Sequence, residues 1–112
     1  MKNFETVQEV HCGIYYRQTF AKKGSAIVGK LHKKGGFSFL LKGKILQRDI
    51  LEDGTFDEYL IEAPSVFKTY PNSRRCCIVL EDTIYATTTV TNNKKLDIIK
   101  LDKEMYKKEV VK

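Results

Sequence analysis

His32 is the residue whose type best suits proton transfer, because an imidazole changes charge near neutral pH. Lys30 precedes it by two positions, and on a strand residues two apart share a face. If that face is interior, Lys30 and His32 point into a barrel with Ser38 and Leu40 opposite. They then line a polar pocket for an anion or a sugar-like ligand. The plainer alternative has His32 bonded to a backbone carbonyl at the barrel mouth and Lys30 reaching out to water. Tyr15 and Arg17 share a face in the same way. A guanidinium there can clamp a carboxylate or phosphate through two parallel hydrogen bonds. It can equally form a structural ion pair with an acidic stretch, for example with Glu58. Arg75 presents the same choice. Cys76 and Cys77 read as small hydrophobes of the core. A nucleophilic cysteine paired with His32 lacks a third group to position it.

These residues sit in an uneven charge pattern. From Val10 to Arg48 there is no acid, while Arg17, Lys22, Lys23, Lys30, Lys33, Lys34, Lys42, Lys44 and Arg48 are basic. From Asp49 to Glu62 the sign reverses, with Asp49, Glu52, Asp53, Asp57, Glu58 and Glu62 and no base. Two readings are open: strands that pair their charges across a sheet, or an anion site for a phosphate, a nucleotide or a nucleic-acid backbone.

The chain has 112 residues and a net charge of +6, with 42% hydrophobic and 30% charged residues. That suits one folded domain and excludes a disordered tail. No apolar run reaches the roughly 20 residues of a membrane helix. Met1-Lys2-Asn3-Phe4-Glu5 lacks an apolar leader core, so the expected location is the cytoplasm of the producing cell. Three cysteines, two of them adjacent, fit a reducing compartment, and there is no CxxC pair or zinc spacing.

The elements that must position the site read as short strands. They run Ile14–Phe20, Ala26–His32, Phe37–Leu41, Ile45–Leu51, Phe56–Ile61, Val66–Tyr70, Arg75–Leu80 and Thr83–Thr89. Asp53-Gly54 between two alternating runs is the strongest hairpin signal. Pro71-Asn72-Ser73 is a turn in which Asn72 can take the left-handed conformation. The spacing predicts an all-β sandwich or small barrel of about eight strands. The barrel covers about residues 11–91 of a single domain, 1–112. Residues 94–112 form either a short C-terminal helix or an extended arm. In the helical case Leu96, Ile99 and Lys103 fall on one side, with Ile98, Leu101 and Met105 beside them.

The order of these elements resembles the cupin double-stranded β-helix. Gly29-Lys30-Leu31-His32 is followed by Leu40 to Ile45, then Glu52-Asp53-Gly54-Thr55, Glu62 to Phe67, Asn72-Ser73-Arg74-Arg75 and Leu80 to Tyr85. More narrowly, the chain looks like small cupin-like proteins encoded by tailed bacteriophages. That likeness is carried by Gly13 to Arg17, Gly29 to His32, Ala63-Pro64, Arg74-Arg75 and Glu81-Asp82-Thr83. The resemblance implies an open-ended barrel, a homodimer or higher symmetric oligomer, and a pocket between the sheets. In metal-binding cupins that pocket holds three His and one Glu. Here His32 takes one His position, Lys30 another and Gly36 the acid position. Arg75 takes the last His position, or Cys76 after a one-residue slip. A further His of the phage group looks like Thr89 here. The expectation is therefore no metal and no cofactor, with Tyr15, Arg17, Lys30, His32, Ser38, Arg75 and Thr89 as ligand-binding residues.

The function that follows is a non-enzymatic, phage-encoded accessory protein that binds a small anionic ligand or a protein partner. Alternatives are a virion or tail-assembly component and a metal-independent sugar or sugar-nucleotide isomerase or epimerase. For the enzyme only His32 is a ready general base, and no acid partner is evident. Nucleic acid is a less favoured partner, since no specific recognition motif accompanies the basic half. A membrane is not expected as one.

Overall fold

The computed structural model describes residues 4–106. Nine strands and one helix follow in the order β1 (Phe4–His11), β2 (Ile14–Ala21), β3 (Ala26–Val28), β4 (Gly36–Lys42), β5 (Lys44–Ile50), β6 (Phe56–Glu62), β7 (Ser65–Thr69), β8 (Arg74–Val79), β9 (Thr83–Val90) and α1 (Ile98–Met105). Two antiparallel sheets face each other, a five-stranded one ordered β1-β2-β9-β4-β7 and a four-stranded one ordered β3-β8-β5-β6. The expected all-β barrel is present. Residues 1–3 and 107–112, including the end of the expected arm, lie outside the described residues.

Two expectations need correction. The first strand, β1, has no counterpart in the strand assignment above. Its sequence, FETVQEVH, alternates, but with Thr6 and Gln8 where a core strand carries aliphatics. It pairs with β2 through a two-residue turn at Cys12-Gly13, where both residues have positive φ (49° and 76°). That is the twist a tight hairpin requires. The second correction concerns Ala26–His32, whose strand stops at Val28. Gly29 donates its N–H to the Arg75 carbonyl at 2.8 Å, and a Cβ there would lie 2.6 Å from that oxygen. Beyond it the backbone leaves the sheet. His32 N–H donates to the Ser73 carbonyl, and the His32 carbonyl accepts from Asn72. Lys30 and His32 therefore do not share a strand face. The turn expectations fit better: Asn72 is left-handed (φ 63°), and Asp53-Gly54 sits in the loop closing β5 onto β6.

Alternation sorts the residues by layer. Ala21, Leu40, Ile45, Ile61, Cys77 and Val79 form the apolar end of the interior, with Ile27, Phe67 and Tyr85 against them. Tyr15, Leu101 and Met105 form a second cluster where α1 packs across the other end. Asp97 caps α1, its carboxylate accepting from the Lys100 N–H. Leu101 and Met105 are the buried face, while Ile98 and Ile99 are exposed. No helix of the described residues is long and apolar enough to cross a membrane.

Glu104 fastens α1 to the barrel. Its side chain is 13% exposed and accepts from Lys34 Nζ (2.5 Å), Thr91 Oγ1 (2.5 Å), Asn93 Nδ2 (2.6 Å) and the Asn92 N–H (3.0 Å). Burial alone would raise its pKa, but these four donors outweigh it and hold the carboxyl at about 2. A depressed acid stabilises the fold above its unfolded value, and that stability is lost as pH falls toward the folded one. Glu104→Gln is expected to cost about 2 kcal/mol at pH 7. It should also flatten the acid limb of the stability profile between about pH 4.5 and pH 2. Thermal melts of both proteins across that range check this; parallel acid limbs would mean the clamp contributes nothing.

Candidate functional site

Between the apolar end and the helix, the interior is polar. On the five-stranded sheet the paired rows are Thr19–Tyr85–Leu40 and Arg17–Thr87–Ser38–Phe67, with Tyr15–Thr89 next toward α1. On the four-stranded sheet Arg75, Cys77 and Val79 alternate inward with Gln47 and Asp49 of β5, while Cys76 faces outward. The choice between Arg75 and Cys76 is thus settled in favour of Arg75 inside.

Arg75 is the hub of this layer, its side chain only 11% exposed. Nε donates to Asp49 Oδ1 at 2.8 Å. Nη1 lies 3.1 Å from the Ser38 hydroxyl, 3.0 Å from that of Thr69 and 3.0 Å from that of Tyr85. Nη2 donates to the Lys68 carbonyl at 3.0 Å, and the guanidinium stands 4.9 Å from the Phe67 ring centre. Gln47, fully buried, extends the network by donating to Tyr59 and Asp49. Tyr59 also donates to Asp49. Burial pushes the Tyr85 phenol up to about 12, so at neutral pH it is a neutral partner, with Arg75 opposing the shift.

A cavity of about 200 Å³ opens beside this hub. Arg17, Lys30, His32 and Arg75 all line it, together with Thr19, Thr87, Tyr85 and Tyr106. Four of the seven expected ligand residues thus come together. The other three lie elsewhere. Tyr15 is buried one row toward α1, where its hydroxyl donates to Gln8. Ser38 is fully buried behind Arg75 and Thr69. Thr89 sits beside Tyr15 in the ladder. Thr19 and Thr87 were legible in principle, since each falls two residues from a named position on the same strand. Tyr106 follows the end of α1, and only the tertiary fold brings it to His32.

The three cations and His32 differ in how they are balanced. Arg75 has Asp49. Lys30 pairs with Asp102 of α1 at 2.7 Å, an exposed pair of small energetic weight, and stands 5.3 Å from the Tyr106 ring centre. Arg17 is half-buried, sits beside the Tyr15 hydroxyl and has no carboxylate partner among the described residues. Glu58 instead binds Arg48, at 2.6 Å. His32 is held below its ordinary pKa, first by burial and then by the Arg75 charge, so at pH 7 it is a neutral donor and acceptor. Its ring packs 5.3 Å from that of Tyr106.

The residues present do not suit a divalent metal. His32 is the single imidazole at the cavity, and Arg75 fills the middle layer with a fixed positive charge. At Gly36, a Cβ would lie 2.0 Å from the Thr88 carbonyl, so no acidic side chain fits there. Among the described residues no three His, Cys, Asp or Glu converge. Burial pushes the Cys77 thiol up to about 11, so at neutral pH it is a protonated, unreactive thiol.

Arg75→Met is expected to cost about 3–5 kcal/mol, because it strands Asp49 and three hydroxyls in the interior. Arg75→Lys should recover only part of this, since one ammonium cannot reach both sheets. Urea denaturation measures both, and a Met variant as stable as the parent would remove Arg75 from its structural role. His32 adds a pH effect. Below about pH 6.5 the unfolded chain binds its proton before the folded one does, so stability should decline as pH falls. His32→Asn should lessen that decline.

No protein-family model matches the sequence, and no curated protein matches it. Solved structures do match in fold. Peruvianin-I, a cysteine peptidase from Thevetia peruviana latex, superposes with a TM-score of 0.70 at 9% identity, over 82% of this chain and 64% of that one. KdgF from a Halomonas species gives 0.66 at 8% identity, over 83% and 84%. An RmlC-like cupin from Shewanella frigidimarina gives 0.64 at 14%, over 82% and 79%. The chain spans just under two thirds of the peruvianin-I chain and 53% of an oxalate oxidase chain that it also matches. At these identities the likeness concerns architecture alone: two facing antiparallel sheets closed into a small barrel, the cupin fold.

Proposed function

We propose that this is a phage-encoded, cupin-like accessory protein that works by binding, and that its interior cavity takes a small organic anion. The phage attribution rests on the ordered motifs from Gly13 to Thr83. The binding reading rests on one observation: Arg17 is a half-buried guanidinium at the cavity with no carboxylate partner among the described residues. A desolvated cation without a counter-charge favours an anionic occupant. The hydroxyls of Thr19, Thr87 and Tyr85 and the neutral His32 ring supply hydrogen bonds around it. Ile27, Val28 and Tyr106 supply apolar wall. A volume of about 200 Å³ lies below the ~300–1,000 Å³ of drug-sized sites. The occupant is therefore a small hydroxy-acid rather than a nucleotide. Binding is favoured over catalysis because, among the described residues, no carboxylate orients the His32 ring.

Native mass spectrometry of the purified protein, followed by thermal melts with small hydroxycarboxylates, phosphate and neutral sugars, tests the reading. A hydroxy-acid at about 100 times its dissociation constant should add about 2.7 kcal/mol of stability. Arg17→Gln should abolish that gain, and neutral sugars should give none. Equal stabilisation of the Arg17 variant, or a stoichiometric metal in the native spectrum, would overturn it.

A further inference from the structure

The outer side of α1 carries a surface chemistry that neither the fold nor the cavity uses. The segment 94–105 holds three acids, and each is engaged. Asp97 caps the helix, Asp102 pairs with Lys30, and Glu104 binds Lys34. The four lysines of the segment are not. Lys94, Lys95, Lys100 and Lys103 are exposed, and their side chains make no ion pair among the described residues. Lys33 adds a fifth ammonium beside them, donating to the Lys103 carbonyl at 2.8 Å. Three aliphatic side chains project among these charges: Leu96 is 48% exposed, Ile98 59% and Ile99 72%. Successive helical residues turn by about 100°. Ile99 and Lys103 therefore form the line of α1 opposite the buried Leu101 and Met105. The helix gives its apolar face to the barrel and turns a ridge of ammoniums around bulky aliphatics to water.

We infer that this ridge docks on a membrane surface rich in anionic lipid. Leu96, Ile98 and Ile99 enter the headgroup layer, and the lysines lie at the lipid phosphates. This goes beyond the ligand-binding reading, does not depend on it, and replaces the expectation that no membrane is a partner. No described helix is long and apolar enough to cross a bilayer, and a peripheral contact needs none. Charge complementarity sets the sign of the occupant, and the residue types set its kind. Protein interfaces are enriched in Arg and aromatic residues at their centres and depleted in Lys. The segment 94–105 has four Lys, no Arg and no aromatic residue. An ammonium is a point charge without the planar fork that matches a single carboxylate, so it suits a field of phosphates. A nucleic acid would use the ammoniums but leave the aliphatics in water, because bases stack on aromatic rings. Lipid satisfies both sets. The aliphatic tips leave water, and the lysine stems follow them while each ammonium stays at phosphate level.

Co-sedimentation of the full chain with lipid vesicles tests the assignment. The wild type should bind vesicles of phosphatidylglycerol mixed with phosphatidylcholine, and bind pure phosphatidylcholine at least about tenfold more weakly. Lys100→Gln combined with Lys103→Gln should weaken binding by about tenfold or more. Lys42→Gln combined with Lys68→Gln removes the same charge from exposed positions on the barrel and should leave binding unchanged. Ile98→Gln combined with Ile99→Gln keeps every charge and should also weaken binding by about tenfold. Unchanged far-UV spectra and melting temperatures show that each variant is folded. A wild type that ignores the anionic vesicles would overturn the inference, whether the ridge is then retained on duplex DNA or by an acidic protein. Equal losses from the two lysine pairs would overturn it in favour of net charge alone. Unchanged binding of the isoleucine variant would overturn it in favour of a general attraction to polyanions. None of these substituted positions lines the cavity, so anion-induced stabilisation is scored separately.

Discussion

A single buried guanidinium organises this barrel. A charge taken out of water is tolerated only when it is paired and its hydrogen-bonding groups are met. Arg75 meets that condition by recruiting both sheets: Asp49 from its own, and Ser38, Thr69, Tyr85 and the Lys68 carbonyl from the facing one. The polar middle layer follows from it. Gln47 can be fully buried because Tyr59, Asp49 and Tyr85 satisfy it. Among the described residues no buried side-chain polar atom lacks a partner. The sheets are thus held apart by apolar packing at one end and tied together by a charged network at mid-height.

The cavity is a consequence of the same arrangement. The Arg75 carbonyl draws in Gly29, which ends β3 after three residues and releases the following segment across the barrel mouth. That segment places His32 over the opening. Helix α1, locked by Glu104, then supplies Tyr106 as the remaining wall. One face of the cavity is therefore the rigid inner surface of β2 and β9, and the other is a loop and a helix held by a few polar contacts. Lys33 strengthens the second wall, donating its N–H to the Met105 carbonyl and its ammonium to that of Lys103.

How much of this was legible in the sequence follows the range of the interactions. Strands and turns governed by local alternation were readable, down to the left-handed Asn72. Arg17, Lys30, His32 and Arg75 were recognisable as a converging set because their order matched a known pattern of elements. β1 was hidden because a strand at a sheet edge tolerates polar residues on its inward side, an exposed Thr6 and a half-buried Gln8. The early end of β3 was hidden because it depends on Gly29 meeting a carbonyl 46 positions away. Ser38 was placed on the right face but not in the right layer. Sequence periodicity reports which side a residue faces, not whether a larger side chain such as Arg75 lies in front of it.

The basic run from Val10 to Arg48 and the acidic run after it now separate into different physical roles. Arg48 and Lys44 meet Glu58 and Glu62 across β5 and β6, as complementary strands do. Lys34 and Lys30 meet Glu104 and Asp102, and so serve the helix. These are four of the nine basic residues of that run, and Arg17 and Lys42 make no ion pair with a carboxylate among the described residues. The net charge is therefore a poor guide to the partner. Position decides instead: inward on β2, Arg17 lines the cavity. Outward on β4 and β7, Lys42 and Lys68 are exposed to solvent.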